Sequence, residues 1–163
     1  YACNGILFNH ESPRRGANFV TAKIINGVKD ILNCKIPYIT LGNIDSKRDW
    51  GHSKDYVKGM WLMLQENKSD DYVLATGVTT TVREFIEKTF LKAANITIRW
   101  EKDIDGNVTG INEKDDTIIV RTDKKYFRPC EVNLLLGDPT KAREKIGWEI
   151  EYDLNKLIDD MLK

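Results

Sequence analysis

Asn9, His10, Arg14 and Arg15 stand together directly after a short apolar run, Ile6-Leu7-Phe8. An amide, an imidazole and two guanidiniums supply hydrogen-bond donors and positive charge, and a guanidinium matches the planar geometry of phosphate. The chemistry implied is anion binding. Residues 6–8 read as a buried strand and residues 9–16 as the loop leaving its carboxyl end, the place where open α/β sheets take their ligands. On residue type alone a plainer account stays open, because Asn is a common turn former and an Arg-Arg pair is by default a charged surface turn.

Other residues could contribute. Gly42 and Asn43 follow a strand-like run, and a glycine there lets the backbone approach a planar ligand. Arg48 precedes an amphipathic stretch and would suit a phosphate better than a lysine, although an ion pair with Asp49 is the competing account. Arg128 and Glu131, three apart around Pro129, offer one cation and one carboxylate, a pairing suited to a nucleotide's phosphate and ribose hydroxyls. Cys3, Cys34 and Cys130 are widely spaced, form no Cys-x-x-Cys pair and have only two histidines to share a metal, so a structural zinc site is not expected. They read as reduced thiols rather than nucleophiles.

The elements that must position these groups follow from periodicity. Residues 18–32 place Phe19, Val20, Ile24, Ile25, Val28, Ile31 and Leu32 on one helical stripe, with Lys23 in its first turns. Pro37 ends that pattern, and residues 38–41 read as a strand before the Gly42-Asn43 turn. Residues 53–64 predict a second helix with Ser53 as N-cap and Tyr56, Val57, Met60, Trp61 and Leu64 facing the core. Residues 72–75 read as a strand, and Thr81-Val-Arg-Glu84 as a capping box opening a third helix. Residues 96–100 and 117–122 predict a two-stranded excursion joined by the polar stretch 103–116. Asp138 as N-cap with Pro139 in the first turn opens a fourth helix, Gly147 closes it, and a terminal helix spans 153–162.

The chain has 163 residues, 41% of them hydrophobic, with 25 basic and 25 acidic side chains. That length supports one core, and zero net charge argues against a nucleic-acid or membrane-surface binder. With no apolar run near 20 residues and no leader pattern, a soluble cytoplasmic protein is expected. Tyr1 in place of an initiator Met suggests a piece of a longer chain.

Asn4-Gly-Ile-Leu-Phe-Asn-His-Glu-Ser-Pro-Arg-Arg-Gly16 resembles the segment that follows the catalytic Tyr-x-x-x-Lys helix in GDP-mannose 4,6-dehydratases, members of the extended short-chain dehydrogenase/reductase superfamily. Three more blocks are similar to that family's, in its order: Leu41-Gly-Asn-Ile-Asp-Ser-Lys-Arg-Asp-Trp-Gly-His52, Tyr126-Phe-Arg-Pro-Cys-Glu-Val132 and Leu136-Gly-Asp-Pro-Thr-Lys-Ala142. The resemblance implies an α/β fold: the carboxyl-terminal part of an NAD(P)-binding Rossmann-like enzyme, a sugar-nucleotide-binding lobe of helices, short strands and a β-hairpin. It implies that His10 and Arg15 touch NADP. It further implies that Asn9, Val20, Lys23, Gly42, Asn43, Arg48, Arg128 and Glu131 touch the sugar nucleotide, GDP-mannose, with Gly42 and Asn43 against guanine and Arg48 on the diphosphate. Only the resemblance selects Lys23, since most helix lysines are surface lysines. Ala22, Cys130 and Asn133 stand where Arg, Thr and Asp are more usual, which removes one cation from the helix and alters local hydrogen bonding.

Absent are a Gly-x-x-Gly-x-x-Gly turn, a Tyr-x-x-x-Lys helix and the catalytic Thr/Glu segment, which in the family lie upstream of the position matching Tyr1. The reaction implied for the complete enzyme is an internal redox in which NADP takes hydride from C4 of the mannosyl ring, water leaves across C5 and C6, and hydride returns to C6. No catalytic residue is therefore expected here, and relatives imply a homodimer or homotetramer. Two alternatives stay open: another extended short-chain epimerase or reductase, and a free-standing, non-catalytic GDP-sugar-binding domain.

Overall fold

The computed structural model describes residues 1–163 except Arg128, Pro129 and Glu131. In chain order the elements are β1 (Asn4–Leu7), β2 (Asn9–Glu11), α1 (Val20–Leu32), β3 (Ile39–Leu41), β4 (Lys47–Arg48), β5 (Trp50–His52) and α2 (Ser53–Met63). Then come β6 (Asp71–Leu74), β7 (Thr80–Thr81), α3 (Val82–Ala94), β8 (Ile98–Lys102), β9 (Val108–Asn112), β10 (Ile118–Thr122), a 3-10 turn (Lys124–Tyr126), α4 (Thr140–Ile146) and α5 (Leu154–Leu162). The mixed α/β class expected from the sequence holds.

Parallel pairing dominates where the chemistry was expected. β1 pairs with β6, Ile6 opposite Val73, and β2 pairs with β5, Asn9 opposite Trp50 and His10 opposite Gly51. β4 pairs antiparallel with β7. The larger sheet runs β3-β10-β9-β8, with β3 parallel to β10 and the rest antiparallel.

Two apolar clusters hold these pieces. The larger joins α1, α3 and α5 to the larger sheet through Ile24, Val28, Leu41, Phe85, Phe90, Val120 and Leu157. Each such side chain withdrawn from water contributes about 1.5–3 kcal/mol before chain entropy is counted. The smaller packs α2 and α4 around Tyr56, Leu74 and Trp148. The predicted capping box is present: the Thr81 hydroxyl accepts from the Glu84 N–H at 3.0 Å, and the Glu84 carboxylate accepts from the Thr81 N–H at 2.8 Å. No helix among the described residues is long and apolar enough to cross a membrane.

Several expectations are corrected. On α2 the buried face is Asp55, Tyr56, Gly59 and Met63, whereas Val57, Met60, Trp61 and Leu64 are exposed, Trp61 by 60%. The helix carries two apolar stripes, and Gly59 selects between them: a Cβ there would lie 2.6 Å from Leu74 and 2.9 Å from the Trp148 indole nitrogen, so only the glycine face can press that close. Its N-cap is His52, whose Nδ1 accepts from the Lys54 N–H at 3.1 Å; Ser53 is the first helical residue, and its hydroxyl donates to the Glu11 carbonyl.

Ile6 is 54% exposed rather than buried, its side chain on a sheet face that no described element covers, and among the described residues β1 has a partner strand on one edge only. Phe19 sits at the N-cap position of α1, exposed, and Leu32 is exposed at its other end. The excursion is three-stranded, since part of the polar stretch, Val108–Asn112, forms β9 with Gly110 opposite Trp100. At α4 the N-cap position falls on Pro139; Asp138 instead accepts from both the N–H and the hydroxyl of Thr140, and Gly147 ends the helix in a left-handed turn.

Candidate functional site

The carboxyl end of β1 opens into a cavity of about 310 Å³ lined by Leu7, Phe8, Asn9, His10, Arg15 and Leu135. Larger cavities lie elsewhere, one of about 660 Å³ beside Tyr38, Thr40 and Arg121 and one of about 860 Å³ beside Ile31, Cys34 and Tyr38. Neither includes a predicted site residue, whereas a third, of about 400 Å³, is lined by Gly42 and Asn43 beside Asp45, Arg83 and Trp100; the cations of the strand-end cavity, rather than its size, single it out.

His10 is held on two sides. Its Nδ1 lies 2.8 Å from the Phe8 carbonyl oxygen and its ring stacks on Tyr56, centroids 5.0 Å apart and planes 27° apart. A carbonyl can only accept, so Nδ1 carries the proton and Nε2 is the nitrogen left for a ligand. Tyr56 is fully buried, and burial first, then the nearby Asp49 charge, pushes its phenol above the ordinary range. It is a neutral platform.

Arg15 is held more firmly still. Its Nε lies 3.0 Å from Oε2 of Glu11, and its guanidinium carbon lies 3.4 Å from the centroid of the Phe19 ring. The Nε contact is ionic rather than a straight hydrogen bond. Glu11 is 1% exposed, and the Thr21 hydroxyl donates to the same oxygen at 2.5 Å. Arg14, in contrast, is exposed, held by its own backbone N–H on the Ser12 hydroxyl.

The first turn of α1 links this cavity to a second group. Thr21 ties the helix to β2, and two residues on, Lys23 Nζ stands 4.2 Å from the centroid of the Tyr126 ring. Gly42 meets the same residue: a Cβ at Gly42 would lie 2.4 Å from the Tyr126 carbonyl oxygen, so no other residue fits without backbone movement. Asn43 turns its side-chain oxygen to the Asp45 N–H at 3.0 Å, bracing the turn. Val20 opens α1, half-buried against the larger core. Ala22 is buried at 4%, so the cation usual there in the resembling family has no place on this face.

Arg48 ends β4, half-buried, with Nη1 donating to the Lys47 carbonyl at 2.9 Å. Its neighbour Asp49 is fully buried and faces inward, accepting from the Thr76 N–H at 2.8 Å, the Thr76 hydroxyl at 2.6 Å and the Gly77 N–H at 2.9 Å. That anchor places Arg48 two residues before Trp50, the partner of Asn9 across the β2–β5 ladder. The segment after the predicted Arg128 and Glu131 joins the two groups: Lys47 N–H donates to the Asn133 carbonyl and Leu135 N–H to the Lys47 carbonyl, while Leu135 lines the cavity. Asn133 contributes here through its main chain, which an Asp would supply equally. Cys130 is exposed. Arg128 and Glu131 themselves lie outside the described residues.

The structure thus brings together Asn9, His10 and Arg15, and separately Lys23, Gly42 and Tyr126. Sequence reasoning missed Glu11, Phe19, Thr21, Tyr56 and Tyr126 as supports. For Glu11 a signal existed, an acid four residues before Arg15 inside a basic turn. Among the described residues no three His, Cys, Asp or Glu side chains converge on a metal-sized space.

Solved structures share this fold. RMD from Pseudomonas aeruginosa, complexed with NADPH, superposes with a TM-score of 0.72 at 17% identity, over 97% of this chain and 45% of that one. UDP-glucuronic acid 4-epimerase from Bacillus cereus does so with a TM-score of 0.72 at 15% identity, over 98% and 43%. Sequence likeness is much closer to GDP-mannose 4,6 dehydratases: 51% identity to that of Dictyostelium discoideum over 99% of this chain and 45% of the relative, and 49% to that of Homo sapiens over 99% and 43%. The chain spans less than half the length of these relatives. The sequence profile described as GDP-mannose 4,6 dehydratase matches residues 1–161, and the chain belongs to that family.

Proposed function

We propose that this chain is the carboxyl-terminal, sugar-nucleotide-binding portion of a cytoplasmic GDP-mannose 4,6-dehydratase, a hydro-lyase acting on GDP-mannose with NADP. The observation that carries the reading is the convergence of Asn9, His10 and Arg15 on one cavity at the end of parallel strands, with Lys23 and Gly42 gathered separately at Tyr126. The relatives' name supplies the substrate, and the cation geometry is compatible with it.

The donor set fits a phosphate-bearing cofactor: Arg15 turns its Nε to Glu11, which leaves the outer edge of its fork for an anion, and His10 offers Nε2. When bound, NADP supplies reversible hydride transfer. His10 and Arg15 hold it; Asn9, Arg48, Lys23 and Arg128 hold the diphosphate; Val20, Gly42, Asn43 and Glu131 hold the nucleoside. The chain's own task is orientation, fixing the sugar against groups supplied by the remainder of the protein. By itself the chain is inactive.

The exposed Ile6 on β1 and the exposed stripe Val57, Met60, Trp61 and Leu64 on α2 support an amino-terminal dinucleotide-binding half that covers them, in a homodimer or homotetramer. They weigh against a free-standing binding domain. The test is competitive titration of the complete protein with GDP and UDP: tighter GDP binding is expected, and equal or tighter UDP binding overturns the reading.

A further inference from the structure

We infer that Glu11 is a positioning residue for Arg15, and that the Glu11–Thr21 tether, not the exposed Arg-Arg pair as such, makes this turn an anchor for a phosphate group of the cofactor. The inference rests on the proposed reading of the strand-end cavity. Its ground is a buried acid that meets a guanidinium with the same oxygen that ties α1 to β2. Glu11 is 1% exposed at the end of β2, and an isolated carboxylate there would be costly unless paired. Among the described residues its side-chain partners are the Thr21 hydroxyl, itself fully buried, and Arg15 Nε, both on the same oxygen, Oε2.

Two restraints act on the guanidinium and a third on its main chain. Glu11 holds its Nε at 3.0 Å by charge, the Phe19 ring takes one face at 3.4 Å, and the backbone N–H of Arg15 is tied to the Ser12 carbonyl at 2.9 Å. What remains is the Nη pair, on a side chain that lines the cavity and is 21% exposed. A fork immobilised in this way loses little rotamer entropy when it meets an anion, which is where preorganisation gains affinity. Arg14, next in sequence, has none of these supports. Phe19 also acquires a role that its failure to join the α1 stripe left unexplained.

The experiment is a double-mutant cycle in the complete protein, titrating NADPH by its fluorescence after the cofactor is stripped. Arg15→Ala should weaken NADPH binding about tenfold or more, the loss of one charge-assisted phosphate contact. Glu11→Gln should weaken binding several-fold when Arg15 is present and have no effect in the Arg15→Ala background. A Glu11→Gln loss that is the same in both backgrounds means general structural damage and overturns the inference, as does no loss beside an intact Arg15. If Glu11→Gln does not fold, Thr21→Val makes the same cycle, with a smaller loss expected that again requires Arg15. Should Arg15→Ala itself leave NADPH binding unchanged, the assignment of the cavity to the cofactor fails, which is a separate result.

Discussion

The imidazole of His10 lies on the ring of Tyr56, centroids 5.0 Å apart, with Tyr56 wholly enclosed behind it. A side chain that lines the strand-end cavity is therefore backed by core. The phenolic oxygen of Tyr56 has no hydrogen-bond partner among the described residues. Tyr56→Phe should preserve the stack and leave stability unchanged or raise it by up to about 1 kcal/mol, since only an unsatisfied buried hydroxyl is lost. Tyr56→Ala should cost about 3–5 kcal/mol. Urea denaturation of the three proteins checks both, and a clear destabilisation by Tyr56→Phe would show that the hydroxyl has a partner.

Gly59 decides which face of α2 is buried. Gly59→Ala would drive a methyl into Leu74 and Trp148, at 2.6 Å and 2.9 Å. A loss of about 1–3 kcal/mol is expected from such overpacking, against the small gain that Ala brings to an exposed helix site. Thermal denaturation reads the sign directly.

Acid stability should depend on Asp160. It lies 3.0 Å from His52 Nε2, and that hydrogen bond first, then the one from Lys163, holds its carboxyl below the ordinary range. A depressed acid contributes stability above its unfolded value, about 3.9, and that contribution is lost as pH falls through the lower folded value. Denaturation midpoints followed from neutral pH down to about pH 3 should therefore drop less steeply in Asp160→Asn than in the parent. An unchanged acid limb would mean that the pair adds nothing.

Arg48→Lys in the complete protein keeps the charge but removes the bidentate fork. About a tenfold weaker GDP affinity is expected, with folding unaltered. Calorimetric titration with GDP measures it, and an unchanged affinity removes Arg48 from the diphosphate site.

Much of the fold was legible because periodicity and capping act locally. The stripe of α1, the Thr81–Glu84 box and the Gly147 stop all report on neighbouring residues, and each stands where expected within a residue or two. The errors share a physical cause. On α2 two stripes compete, and the choice depends on Leu74 and Trp148, both distant in sequence. β9 was hidden because a strand rich in Gly, Thr and Asn is stabilised by its partner strands rather than by its own residues. For the site, the basic turn was visible and its supports were not: nothing local says that Thr21 and Phe19 would close on Glu11 and Arg15.

The most direct test of the central claim is product analysis of the complete protein incubated with GDP-mannose and NADP, followed by NMR. The account predicts a GDP-linked 4-keto-6-deoxy sugar, formed with loss of one water and no net consumption of NADP. Unchanged GDP-mannose beside turnover of a UDP-linked sugar would contradict it.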